Sequence, residues 1–116
     1  MPQLDWAIDI ITSGAGAAFQ PKLPNSKPGD PLNAQVGDIV TWGNRTKDVH
    51  QPWPTVGNQP NGDPAPPPAT GLCDPIPPND SSRPQFVVEG NAGDQINYCC
   101  RYHPTERGQI IVVDSI

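Results

Sequence analysis

The chain has 116 residues and a formal net charge of −5, which suits one domain spanning 1–116, with a single core and no second catalytic unit. No basic cluster occurs, which argues against nucleic acid or anionic membrane as a partner, and no apolar run is long enough for a membrane span. The 17 prolines and 11 glycines set against 34% hydrophobic residues approach the composition of disordered chains, yet short β-like runs recur throughout and favour a compact all-β domain with long Pro/Gly loops.

The opening MPQLDWAIDI lacks a basic n-region and an apolar h-region, so an exported form is expected to have lost its signal already. Residues 6–12 predict a first strand, with Trp6, Ile8 and Ile10 on one face. Residues 13–18 are small and flexible. The stretch from Phe19 to Leu32 carries Pro21, Pro24, Pro28 and Pro31 and reads as an irregular edge segment, because proline cannot donate to a central ladder. Asp38–Trp42 is a short strand with Val40 and Trp42 facing the core. Residues 52–84 hold eleven prolines and no apolar period, which predicts a long extended loop with polyproline II stretches. Strands resume at 85–89, at 94–100 and at 109–113. In 94–100, Ile96, Tyr98 and Cys100 share one face while Gln95, Asn97 and Cys99 share the other. Six or so strands with loop-rich joins, no repeat and no convincing helix predict a Greek-key β-sandwich.

The chemistry-bearing residues are few: two histidines, three cysteines and a single methionine, at position 1. A three-histidine metal centre is therefore impossible within one chain, and a methionine ligand inside the fold nearly so. Cys100, His103 and Glu106 follow one another at three-residue intervals in a loop held between two expected core strands. A thiolate, an imidazole and a carboxylate so spaced can converge on one point. His50, after the Asp38–Trp42 strand, can reach the same end of the sandwich. A His₂Cys plane with a weaker fourth ligand is the donor set of blue-copper electron-transfer sites.

Two blocks, VGDIVTWGNRTKDVH (36–50) and YCCRYHPTERGQIIVV (98–113), resemble the cupredoxins, the small blue-copper proteins of the amicyanin and plastocyanin type. The family reads Gly-Asp-x-Val-x-Trp-x-Asn before its first histidine ligand. It reads Tyr-x-Cys-x-x-His-Pro-x-Met-x-Gly before an apolar strand. The resemblance implies an eight-stranded sandwich in which His50, Cys100 and His103 bind copper (Cu(II)/Cu(I)), and an electron carrier more readily than an enzyme. It also implies a redox partner protein that docks where His103 reaches the surface. Two positions depart from the pattern. Glu106 stands where the family has its axial methionine; a hard carboxylate favours Cu(II), lowers the potential and shifts the colour towards green or red. Gln51 stands where the family usually has an asparagine that ties the two ligand loops together.

Each of these residues also has a plainer reading. Cys100 can be a buried structural cysteine, His50 a surface histidine, and Glu106 an exposed carboxylate, with a carbonyl or water in the axial position. Gln109, a rival axial ligand, is out of register against Gly108. Cys99 faces away from Cys100, so a Cys73–Cys99 disulfide is expected to pin the Pro-rich loop and to indicate an oxidising compartment, periplasmic or extracellular. Trp53 either offers an apolar docking surface for the redox partner or anchors the long loop. Two further functions remain: a copper site with an open position that binds a small molecule such as nitric oxide or a reactive oxygen species, and a copper carrier or structural module.

Overall fold

Side-chain alternation sets which strand faces turn inward, and two sheets close over them. The structure, a computed structural model, describes residues 3–115. The first sheet contains β1 (Asp5–Ser13), β2 (Gly16–Pro21), β4 (Ile39–Asn44) and β6 (Phe86–Val87), in the order β2-β1-β4-β6. The second contains β3 (Leu32–Ala34), β5 (Pro52–Pro54), β7 (Gln95–Cys100) and β8 (Arg107–Val112), in the order β3-β8-β7-β5. Both sheets are mixed: β1 runs parallel to β4 and β3 parallel to β8, while the other pairs are antiparallel. The chain crosses repeatedly between the sheets, as a Greek-key sandwich requires. Among the described residues the only helical element is one 3₁₀ turn, Val56–Asn58, and no helix is long and apolar enough to cross a membrane.

The inner faces supply one core. Ile8, Ile10, Phe19, Val40 and Trp42 of the first sheet meet Leu32, Ala34, Tyr98, Cys100, Ile110 and Val112 of the second. Trp42 is fully buried, donates from Nε1 to Tyr98 Oη at 3.1 Å and meets the Tyr98 ring edge-on at 5.4 Å. The expected core aromatics divide accordingly: Trp42 and Tyr98 are fully enclosed, whereas Trp6 and Phe86 pack against the cluster from its margin.

Three strands, β2, β3 and β5, lie where none is expected from the sequence. Gly14 takes a positive φ of 59° in the two-residue turn between Ser13 and Gly16, which folds β2 back on β1 in the manner of a tight hairpin. Pro21 ends β2 on the open edge of the sheet, where its missing N–H costs no ladder bond. β3 has three residues and its partner is far along the chain, so no local pattern marks it. The Pro-rich segment is also more ordered than a free extended loop. Pro52–Pro54 pairs with Tyr98–Cys100 as an edge strand, and the Leu72 N–H donates to the Pro52 carbonyl at 3.0 Å.

The expected Cys73–Cys99 disulfide is absent: Cys73, Cys99 and Cys100 are all free and buried. The reason lies in the faces of β7. Cys73 enters the inter-sheet core together with Cys100, while Cys99 points to the opposite face, beside Trp53 across the β5–β7 ladder. Side chains on opposite faces cannot bring their sulfurs into bonding geometry. Burial pushes the Cys73 thiol up to about 12, so it is inert rather than reactive.

At the pole away from His50 and Cys100, Asp38 is buried and accepts three hydrogen bonds: from Leu4 N–H (3.1 Å), Trp6 Nε1–H (2.8 Å) and Gln35 N–H (2.9 Å). Burial opposes its charge, but these donors together outweigh burial and hold its pKa below the ordinary value. The resulting stabilisation is complete above the unfolded carboxylate pKa of about 3.9 and is lost as pH falls through the lower folded value. Asp38→Asn places an amide donor against one of the three N–H groups. It is expected to cost about 1–3 kcal/mol at neutral pH, read by urea unfolding, with the difference from wild type shrinking in acid.

Candidate metal centre

Backbone turns build the second half of the site. The His103 N–H donates to the Cys100 carbonyl (3.2 Å), and the Glu106 N–H donates to the His103 carbonyl (2.9 Å). The Cys100 N–H closes the loop onto the Glu106 carbonyl (2.9 Å). Two consecutive four-residue turns, Cys100–His103 and His103–Glu106, thus carry the three side chains to one side, and β7 and β8 fix both ends. His50 comes from the other sheet's connection. It is held by a reciprocal bridge with Ile76, whose N–H donates to the His50 carbonyl at 2.8 Å.

All four expected residues meet. His50, Cys100, His103 and Glu106 each present one ligand atom, and these atoms lie within 4.8 Å of one another. His50 Nδ1 is 3.4 Å from Cys100 Sγ and 3.2 Å from Glu106 Oε1. His103 Nδ1 is 3.6 Å from both. These four separations run from 3.2 to 3.6 Å and none of the six exceeds 4.8 Å, close enough for one ion to reach all four donors. The donor chemistry agrees with the spacing. Glu106 Oε2 accepts the Ala17 N–H at 3.0 Å, whereas the buried Oε1 has no hydrogen-bond donor. A buried carboxylate oxygen facing two imidazole nitrogens and a sulfur lacks the positive partner that such an atom needs. A cation at the centre would provide it.

The surroundings set the state of each donor. Burial lowers the pKa of His50; Glu106 opposes this, and His103 adds to it. A neutral His50 is the form that can ligate. Burial raises the Cys100 thiol, while backbone N–H groups of Gln51, Tyr102 and His103 pull it down. Gln51 therefore keeps a hold on the sulfur through its main chain. Its carbonyl also accepts the Arg101 N–H at 2.9 Å and its side-chain amide donates to the Cys73 carbonyl at 2.9 Å. The segments carrying His50 and Cys100 are thus tied together by the Arg101–Gln51 bond, with glutamine where the cupredoxin pattern has asparagine.

His50 and Glu106 are buried, but the His103 side chain is 43% exposed. A cavity of about 360 Å³ lies beside the site between the β1–β2 turn and the Arg45–Asp48 segment, bordered by His50, His103 and Glu106. Trp53 is only 5% exposed. Its indole donates to the Ala65 carbonyl at 2.7 Å and lies under the Arg101 guanidinium, 4.4 Å from the ring centre. Of its two readings, loop anchoring is the one the packing meets; a buried ring offers no docking surface.

Sequence reasoning missed three residues around the four candidate donors. Ala17 holds the far oxygen of Glu106, and Gly16 leaves room for it, since a Cβ there would stand 3.3 Å from Oε2. Both belong to the unpredicted hairpin. Thr46 Oγ1 lies 3.0 Å from His50 Nε2. The near-universal need of a metal-bound histidine for a partner on its second nitrogen was the available signal, and Thr46 stands one helical-turn spacing before His50.

Solved structures resemble this one over most of its length. A purple cupredoxin from Nitrosopumilus maritimus matches 91% of the chain and 97% of its own, with a TM-score of 0.61 and 22% identity. The fold is that of the cupredoxins. A proline-to-glycine mutant of amicyanin in its reduced Cu(I) form at pH 4 covers 97% of this chain and 85% of its own, with a TM-score of 0.57 and 22% identity. An oxidized proline-to-alanine amicyanin mutant covers 71% of this chain and 68% of its own, with a TM-score of 0.50 and 26% identity. No protein-family model matches the chain, and no curated protein matches its sequence. The four-donor cluster lies at the end of this cupredoxin sandwich, on loops that join strands of both sheets.

Proposed function

We propose that the protein is a copper-binding electron carrier in which His50, Cys100, His103 and Glu106 hold one ion. The observation that carries the reading is the meeting of these four donors around a buried carboxylate oxygen that lacks a donor. Bound there, copper would supply one-electron transfer between Cu(II) and Cu(I). Cys100 would supply a soft thiolate, and His50 and His103 two imidazole nitrogens. Glu106 presents a single oxygen, because Ala17 retains the other. The two-sheet scaffold and the closed 100–106 loop hold the donors in place, so little rearrangement accompanies a change of charge. His103 is the one of the four donors that reaches the surface, and the reading puts a redox partner protein there. The exported location, periplasmic or extracellular, now rests on the cupredoxin likeness alone, since the thiols are free.

Titration with Cu(II), followed by visible absorption and electron paramagnetic resonance, tests the reading. An intense thiolate-to-copper band saturating at one equivalent is expected, with complete loss of that band in Cys100→Ser. Absence of any coloured complex in the wild type would sink it. The cavity beside Glu106 favours a second reading, a site open to a small exogenous ligand. Azide added to the loaded protein separates the two, because a closed carrier site leaves the spectrum unchanged.

A further inference from the structure

The hydrogen bonds behind His50 favour one placement of its proton. The Asn44 side-chain amide is oriented by two carbonyls, Asp48 O at 2.7 Å and Ile76 O at 3.0 Å, to which Nδ2 donates. Reversing the amide would set its oxygen against both carbonyls and its NH₂ against the Thr46 N–H. Asn44 Oδ1 therefore faces Thr46 and accepts its N–H at 2.9 Å. The Thr46 hydroxyl has one proton. Its candidate acceptors are Asn44 Oδ1 at 2.8 Å and Asp48 O at 3.1 Å, neither of which can donate in return. Two bare oxygens 2.8 Å apart would repel, so the proton lies towards Asn44 Oδ1, and Oγ1 accepts from the Asp48 N–H at 3.2 Å and faces His50 Nε2, 3.0 Å away, as an acceptor. A neutral His50 then carries its proton on Nε2, and the Nδ1 lone pair points at Cys100 Sγ and Glu106 Oε1.

We propose that Thr46, held by Asn44, is a positioning residue that keeps the His50 proton on Nε2 and so leaves Nδ1 ready to ligate. The pair acts against a real competitor. Glu106 Oε1, 3.2 Å from Nδ1, would by itself draw the proton to Nδ1, since a carboxylate is the stronger acceptor. Thr46 and Asn44 are both buried, which holds the threonine oxygen in place against His50. The ligating role of Nδ1 rests on the copper reading above; the proton position does not.

Nitrogen-15 NMR of the imidazoles in the full, metal-free chain reads that position directly. Wild type is expected to show His50 protonated at Nε2. Thr46→Val, which keeps the shape and removes the acceptor, is expected to shift the proton towards Nδ1 and to weaken copper binding about 10- to 100-fold in chelator competition. Thr46→Ser should restore both readouts. A purely structural role for Thr46 would lower the unfolding midpoint of Thr46→Val and leave the proton on Nε2, which would overturn the proposal. So would a wild-type His50 protonated at Nδ1, a result that stands even if Thr46→Val fails to fold. A wild-type chain protonated at Nε2 that takes up no copper would overturn the copper reading and uphold the proton assignment.

Discussion

Glu106→Met in the copper-loaded protein is expected to raise the reduction potential and move the colour towards blue. The carboxylate is buried and faces the two imidazoles and the sulfur through one oxygen. A full negative charge there stabilises Cu(II) over Cu(I), because the two states differ by one positive charge. Two unit charges about 4 Å apart interact by about 4 kcal/mol at a protein-like dielectric, which a one-electron couple reads as roughly 0.15–0.2 V. A thioether removes the charge and offers a softer donor, which strengthens the Cu(I) state further. The substitution also strands the Ala17 N–H that Glu106 Oε2 now accepts, so a loss of about 1–3 kcal/mol in the metal-free protein is expected alongside. Voltammetry and visible spectra of wild type and variant check the first effect, and urea unfolding checks the second. An unchanged potential and spectrum would remove Glu106 from the copper's coordination and leave it as a hydrogen-bond partner for β2.

The parts of the site legible in the sequence are those set by short-range spacing. Alternation in Gln95–Cys100 places Tyr98 and Cys100 on one face, and the three-residue steps from Cys100 to His103 to Glu106 become the two turns observed. His50 was identified through its resemblance block, since its contact with Cys100 spans 50 positions in the chain. What escaped depends on distant pairing or on burial. β2 is made of Gly16, Ala17 and Ala18 before its first large residue, which carry little strand preference, and it exists because a glycine turn folds it onto β1. Cys99 and Cys73 illustrate another limit. Alternation correctly turned Cys99 away from Cys100, yet which face Cys73 approaches is decided by the path of the Pro-rich segment, and no periodic pattern records that path. Trp53 likewise has two opposite readings until Ala65 and Arg101 are seen to enclose it.

Gly108→Ala, one added methyl, is expected to be among the most damaging substitutions in the molecule. Gly108 lies directly across the β7–β8 ladder from Tyr98. A Cβ at position 108 would overlap the Tyr98 ring at Cζ and Oη and stand 2.6 Å from Cε2. The position needs glycine for space rather than for backbone freedom, since its φ lies outside the left-handed region. The ring has nowhere to go. It is enclosed by Phe19 at 4.9 Å and Trp42 at 5.4 Å, both edge-on, and its oxygen accepts the Trp42 indole N–H. Relief must come from displacing β8, and forced overpacking of this kind costs about 3 kcal/mol. Losing the Trp42 hydrogen bond adds about 1 kcal/mol. Tyr98 stands two residues before Cys100 on the same face of β7, so a displaced strand also misplaces the sulfur, and a weaker thiolate-to-copper band should accompany the lower unfolding midpoint. Tyr98→Leu made in the Gly108→Ala background separates this cause from a general strand preference. If the ring is the obstacle, the double variant loses less than the sum of the single ones, with a coupling of about 1–3 kcal/mol. Additive losses would mean that β8 tolerates the methyl and that the damage arises in the backbone of the ladder.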